Sequence, residues 1–76
     1  MLLIDVRTPE EHTQGHVPSS INLPLDLIAQ GHMPAASLDE KIVLYCRSGN
    51  RSEQAKQLLE MYGFTNVTNG GGYNDF

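Results

Sequence analysis

The chain has a single cysteine, Cys46, and it is followed directly by Arg47, Ser48, Gly49, Asn50, Arg51 and Ser52. A thiol attacks as its thiolate, and nearby cations or a helix amino end favour that form. Arg47 and Arg51, with no acid between them, and the amino end of the helix that follows are therefore expected to lower the pKa of Cys46 and make it a nucleophile near neutral pH. Gly49 allows the backbone to curl, so that several N–H groups turn inward and form a cradle for an anion. A dianionic substrate would be held by the same field. The competing reading of a lone cysteine is a small buried hydrophobe, and the flanking arginines and glycine point away from it.

Two elements must position that thiol. Ile42, Val43, Leu44 and Tyr45 form an uninterrupted apolar run suited to a strand covered on both faces of a parallel sheet. From Ser52 the apolar positions become Ala55, Leu58, Leu59 and Tyr62, the spacing of a helix with one buried face. Cys46 thus falls at the carboxyl end of a strand, where open α/β sheets place their ligands. Gly63 is expected to stop the helix, with Phe64 supplying the apolar contact of the cap. Thr65 to Thr68 then read as a further strand, making a parallel crossover from Ile42 onward.

The remaining elements are short. Leu2 to Val6 read as the first strand, and Thr8-Pro9-Glu10-Glu11 is a helix start with a hydroxyl cap, a proline and two acids. Gly15 ends that helix. Ile21 to Leu23 form a second strand closed by Pro24. Leu25 to Gln30 form a short helix with Leu25, Ile28 and Ala29 inward, ended by Gly31. Residues 32–40 read as loop. Gly70, Gly71 and Gly72 have no following lysine and hydroxyl residue, so they are not a phosphate loop; they are expected to make a sharp turn that carries Tyr73 to Phe76 across the sheet end. The whole is expected to be one domain, 1–76, of α/β class: a small open sheet, mostly parallel, flanked by helices in three layers.

Three blocks, LIDVRTPEEHTQGHVPSSINLP, YCRSGNRS and GFTNVTNGGGYNDF, resemble in order the single-domain rhodaneses, a sulfurtransferase family. The resemblance implies that Cys46 takes a sulfane sulfur from thiosulfate or a similar donor as a persulfide and hands it to a thiophilic acceptor, cyanide or a thiol. It assigns substrate binding to Arg47, Ser48, Gly49, Asn50, Arg51 and Ser52, and places Tyr73 near the pocket entrance. It implies no cofactor. Family domains ordinarily carry a further strand and helix before the segment matching Leu2 and a helix after that matching Phe76, so an uncovered surface, modest stability and a monomer or weak self-association are expected. Asp5 and Arg7 sit in the family's Asp-Val-Arg pattern; a buried pair that fixes the loop after the first strand is the expected role, ahead of catalytic acid and anion binder.

Two other functions compete. Cysteine phosphatases and related arsenate reductases place five residues between cysteine and arginine, whereas four separate Cys46 from Arg51, a smaller loop better matched to one sulfur atom than to a tetrahedral oxyanion. A rhodanese-like binding or regulatory module without catalysis is the other, and such modules often lack the cysteine retained here. His12 and His16 are four apart, but Gly15 interrupts their helix and no third ligand stands nearby, so no metal site is expected. A formal net charge of −4 over 76 residues argues against nucleic acid as a partner. One cysteine allows no internal disulfide, which fits a reducing compartment. The sequence shows no membrane span or signal segment, and a cytoplasmic location is expected, or a periplasmic one for a processed chain. The Asn66-Val67-Thr68 acceptor pattern is then a coincidence.

Overall fold

The computed structural model describes residues 1–76. The elements are β1 (Leu2–Asp5), α1 (Pro9–Gln14), β2 (Ile21–Asn22), α2 (Leu25–Ala29), β3 (Ile42–Cys46), α3 (Asn50–Met61) and β4 (Val67–Gly72), followed by a 3₁₀ turn at Tyr73–Asp75. The four strands form one parallel sheet in the order β2-β1-β3-β4. The two most apolar strands, β1 and β3, are central, and their register pairs Ile4 with Leu44 and Asp5 with Tyr45.

Alternation along β3 divides its side chains between two faces. Ile42, Leu44 and Cys46 join Ile4, Val6, Ile28, Ala55, Leu59, Phe64 and Val67 in one apolar cluster beneath α2 and α3. Burying each large aliphatic side chain there contributes about 1.5–3 kcal/mol. Tyr45 stands on the opposite face and is fully buried under Tyr73 and Phe76, whose ring centroids lie 6.2 and 5.1 Å away. Leu3 and Val43, on that same face, are only partly covered. The second covering layer is therefore thin and is made largely by the chain's last turn. The Tyr45 hydroxyl accepts from the Val17 N–H at 3.0 Å and donates to Ser20 Oγ at 2.9 Å, while Ser20 donates to Val17 O. That closed set satisfies the polar end of a buried aromatic ring.

Local chemistry explains the helix limits. Thr8 and Glu11 form a capping box, with the Glu11 N–H donating to Thr8 Oγ1 and the Thr8 N–H to Glu11 Oε1. At the end of α3 the Phe64 N–H reaches Leu59 O and the Gly63 N–H reaches Glu60 O, with Gly63 at φ +105°, as a Schellman cap requires. Of the α2 positions expected inward, Ile28 is buried and Leu25 partly so, but Ala29 is exposed. The helix is little more than one turn, and Ile28 is its one buried residue, with Leu25 packed against the same core.

The carboxyl-terminal glycines differ most from expectation. They are not a turn: β4 runs on through Gly70, Gly71 and Gly72, and the chain turns only at Tyr73. Val67, Thr68 and Asn69 pair in register with Ile42, Val43 and Leu44, and a bulge then brings Gly72 opposite Cys46. Close approach of backbones is the reason for the composition. A Cβ on Gly72 would lie 2.5 Å from the Arg47 carbonyl oxygen, and one on Gly70 would lie 2.9 Å from both Val43 and Phe76. Gly72→Ala must displace the segment that follows Cys46. The expected cost is about 1–3 kcal/mol with a matching loss of activity, checked by urea unfolding alongside turnover.

Candidate active site

Cys46 is the last residue of β3, and α3 begins four residues later, so the loop between them is only Arg47, Ser48 and Gly49. Gly49 caps the helix in the left-handed conformation at φ +96°. Asn50 and Arg51, expected in the loop, instead join Ser52 in the first turn of α3. The correction matters chemically, because it aims the free N–H groups of that turn, and the positive end of the dipole, at the thiol. Gly49 N–H donates to Cys46 Sγ at 2.9 Å, and Ser52 Oγ lies 3.5 Å from the sulfur. Cys46 and Ser52 are both fully buried.

Burial by itself pushes the Cys46 thiol up. The Ser52 hydroxyl and the N–H groups of Ser52, Ser48 and Gly49 together outweigh it, and the thiol is held below its ordinary value. The direction is the expected one, and of the expected agents it is the donors at the helix amino end, joined by the Ser52 hydroxyl, that produce it. Arg51 makes a two-pronged ion pair with Glu11, at 2.7 and 3.1 Å, and Arg47 is exposed with its guanidinium unpaired. The guanidinium groups are a background to a cradle made of backbone and one hydroxyl.

Ser52 is positioned by a residue that no motif or spacing in the chain singles out. While Cys46 is a thiol, Asn69 of β4 accepts the single Ser52 hydroxyl proton at 2.7 Å, and in the thiolate that proton turns to Sγ; the amide also accepts from the Gly71 N–H at 2.9 Å, and donates to Gly49 O at 3.0 Å and to Glu53 Oε1 at 3.1 Å. All four hydrogen-bonding positions of its amide are used, which fixes its orientation. One side chain thereby ties the edge strand to both ends of the Cys46 cradle. The only signal in the sequence is a polar residue within a strand. Ser52→Ala should move the thiolate titration, followed by ultraviolet absorbance, to higher pH. It should also slow attack by Cys46 at neutral pH by roughly tenfold, the worth of one hydrogen bond to a charged group.

The other polar residues form a rim. Asp5 is fully buried and accepts from the Arg7 backbone N–H at 2.9 Å, from Arg7 Nε at 2.9 Å and Nη2 at 2.8 Å, and meets His12 Nδ1 at 2.9 Å. Burial would raise its pKa, but these bonds prevail and keep it below the ordinary carboxylate value. Arg7 lies against both tyrosines, its Cζ 5.6 Å from the Tyr45 ring centroid and 4.6 Å from that of Tyr73, and donates to Gly15 O at 2.6 Å. Asp5 and Arg7 are thus the buried pair expected for this position. His12 and His16 stack on each other, and their Nδ1 atoms are engaged by Asp5 and by the His12 carbonyl. The Arg51 pair lowers Glu11 to about 2. This ion pair therefore contributes fully above pH 4.5 and is lost as pH falls through about 2; being partly exposed, it is worth about 1 kcal/mol or less. Beside the loop lies a cavity of about 460 Å³ bordered by Arg7, Glu11, Gln14, Arg47, Tyr73 and Asn74. Cys46 is not on its wall; the sulfur lies under the loop that forms one side.

A buried thiol at a strand end, with N–H donors trained on the sulfur itself, agrees with one more observation: the rhodanese-like domain matches residues 1–76. The chain belongs to that family. It is 40% identical over 73 residues to the thiosulfate sulfurtransferase PspE of Escherichia coli, spanning 95% of this chain and 70% of that protein. It is 44% identical over 69 residues to a sulfurtransferase of Allochromatium vinosum, spanning 91% of this chain and 64% of that one. Among solved structures, the human single-domain sulfurtransferase TSTD1 superposes with a TM-score of 0.86 at 30% identity, covering 97% of this chain and 78% of its own. In this rhodanese-like domain no helix is long and apolar enough to cross a membrane.

Proposed function

We propose that this chain is a thiosulfate sulfurtransferase in which Cys46 is the nucleophile and the persulfide carrier. Family membership and the sulfurtransferase relatives support the reaction class. The observation that carries the role of Cys46 is the Gly49 N–H at 2.9 Å from a sulfur that also faces the Ser52 hydroxyl. The donors of the loop close on the sulfur rather than on a space above it. They favour a thiolate before reaction and a charged persulfide after it.

The Cys46 thiolate attacks the outer sulfur of thiosulfate, forming a Cys46 S–S bond. The donor's own S–S bond breaks, and its electron pair leaves with sulfite. The persulfide then gives its outer sulfur to cyanide, forming thiocyanate, or to a thiolate, forming a new persulfide, and the Cys46 thiolate is restored. No net oxidation occurs in either step. Arg47, Ser48, Gly49, Asn50, Arg51 and Ser52 bind the substrate in this scheme, the cations at the rim and the backbone at the sulfur. Glu11 holds Arg51 in place, and Asn69 holds Ser52.

Sulfite and thiocyanate should form in equal amounts from thiosulfate and cyanide, while an aryl phosphate is left intact. Release of phosphate without sulfite would replace this reading with that of a cysteine phosphatase.

A further inference from the structure

The Ser52 hydroxyl has one proton and three acceptors within range: Asn69 Oδ1 at 2.7 Å, Gly49 O at 3.0 Å and Cys46 Sγ at 3.5 Å. Gly49 O is already satisfied, since it accepts from the Glu53 N–H at 3.1 Å and from Asn69 Nδ2 at 3.0 Å. The proton is therefore divided between Asn69 and the sulfur. Ser52 is fully buried, so water does not enter the competition.

The Asn69 amide cannot present its other end. The Gly71 N–H can only donate, and Gly49 O and the Glu53 carboxylate can only accept, so Oδ1 must face Ser52. An acceptor of fixed direction thus competes with the sulfur for one proton. The charged groups bordering the trio are Glu53, Arg51 in its pair with Glu11, Arg47, and Asp75, which accepts from the Gly72 N–H opposite Cys46. None of them is hydrogen-bonded to Ser52 or to the sulfur.

The charge on Sγ comes and goes during sulfur transfer. It is present in the thiolate and moves to the outer sulfur in the persulfide. It returns when an acceptor attacks that outer sulfur, the S–S bond breaks and its electron pair goes back to Sγ. We infer that Asn69 is a positioning residue for this exchange: it holds the Ser52 proton while Sγ is uncharged and yields it to Sγ as the persulfide is discharged, so that Ser52 stabilises Cys46 as the leaving group. The proton stays on Ser52 throughout and only its direction changes. The inference rests on the sulfurtransferase reading and deepens it, because the two half-reactions acquire opposite demands. A hydrogen bond to Sγ restrains the thiolate as attacking group and assists it as leaving group.

The test is the ratio of discharge to loading, measured as separate half-reactions with cyanide and thiosulfate at one pH above the thiol titrations, in wild type, Ser52→Ala, Asn69→Asp and the double variant. Aspartate keeps the shape of the side chain but holds the Ser52 proton as a charge-assisted acceptor in every state. Discharge should slow roughly tenfold in each single variant, with loading unchanged or faster. The double variant should match Asn69→Asp, because both changes remove the same bond. Equal slowing of the two half-reactions, or losses that multiply in the double variant, would overturn the inference and leave sulfur transfer by Cys46 intact. A second measurement needs neither turnover nor a change at Asn69: its side-chain amide resonances are followed by NMR through the Cys46 titration in wild type and in Ser52→Ala. In wild type they should shift with the midpoint of the thiolate absorbance, and in Ser52→Ala they should cease to follow it. An amide that ignores the titration in wild type, or follows it equally in both proteins, would overturn the role of Asn69. Failure of Cys46 to accept sulfur would instead remove the sulfurtransferase reading, with the amide titration still deciding whether Asn69 and Sγ share the Ser52 proton.

Discussion

Cys46→Ser should lower sulfur transfer by about a thousandfold or more while leaving the fold in place. A hydroxyl has nearly the volume of a thiol, and the donors trained on Sγ, the Gly49 N–H and the Ser52 hydroxyl, can bond to an oxygen as readily as to a sulfur. What is lost is chemical. Serine has no deprotonated form near neutral pH and cannot carry a sulfane sulfur. Circular dichroism and the urea midpoint should match wild type, and thiocyanate production should vanish. Retained turnover in this variant would remove Cys46 from the mechanism.

Asp5→Ala should have the largest effect on stability, about 3–5 kcal/mol, because it leaves the buried Arg7 guanidinium without its counter-charge. A chain of this length is stable by roughly 4–11 kcal/mol at typical values per residue, so much of the population would unfold. Asp5→Asn keeps an acceptor but removes the charge, and should lie between the two. The pH dependence carries a further sign. Because the folded protein holds the Asp5 carboxyl below its ordinary value of 3.8, its contribution is present above that pH and is lost as pH falls through the lowered value. The acid limb of the stability curve should therefore flatten in Asp5→Asn. Urea midpoints measured between pH 2 and pH 7, a range set by those carboxylate values, check both statements. An Asp5→Ala midpoint close to wild type would mean that Arg7 finds another partner.

How much was legible in the sequence depended on whether the signal was local. β3, α3 and the Gly63 cap followed from periodicity and a glycine, since each is decided by neighbours within a few residues. The Thr8 capping box was equally plain. The cradle was legible only as a stretch: the pattern placed Cys46 at the strand end, but not the helix start at Asn50, because the Gly49 backbone rather than a capping side chain begins α3. The arginines were given a share in lowering the thiol's pKa, beside the helix amino end, because they are near it in sequence. In space Arg51 is taken by Glu11, forty residues away along the chain.

The glycines at 70–72 illustrate the same limit. Three consecutive glycines favour a turn by composition, and only the approach of the Arg47 carbonyl to Gly72 explains why a strand needs them there. Asn69 was invisible for the same reason. Its four partners come from β4, the Gly49 cap and α3, which no spacing rule connects. Long-range pairing, not propensity, decides these positions.

The most direct test of Cys46 as a persulfide carrier is the intact mass of the folded wild-type protein after incubation with thiosulfate and again after a reductant, with Cys46→Ser in parallel. The expected result is a gain of one sulfur atom on wild type alone, removed by the reductant. No gain on a wild-type protein shown to be folded, or the same gain on the serine variant, would contradict it.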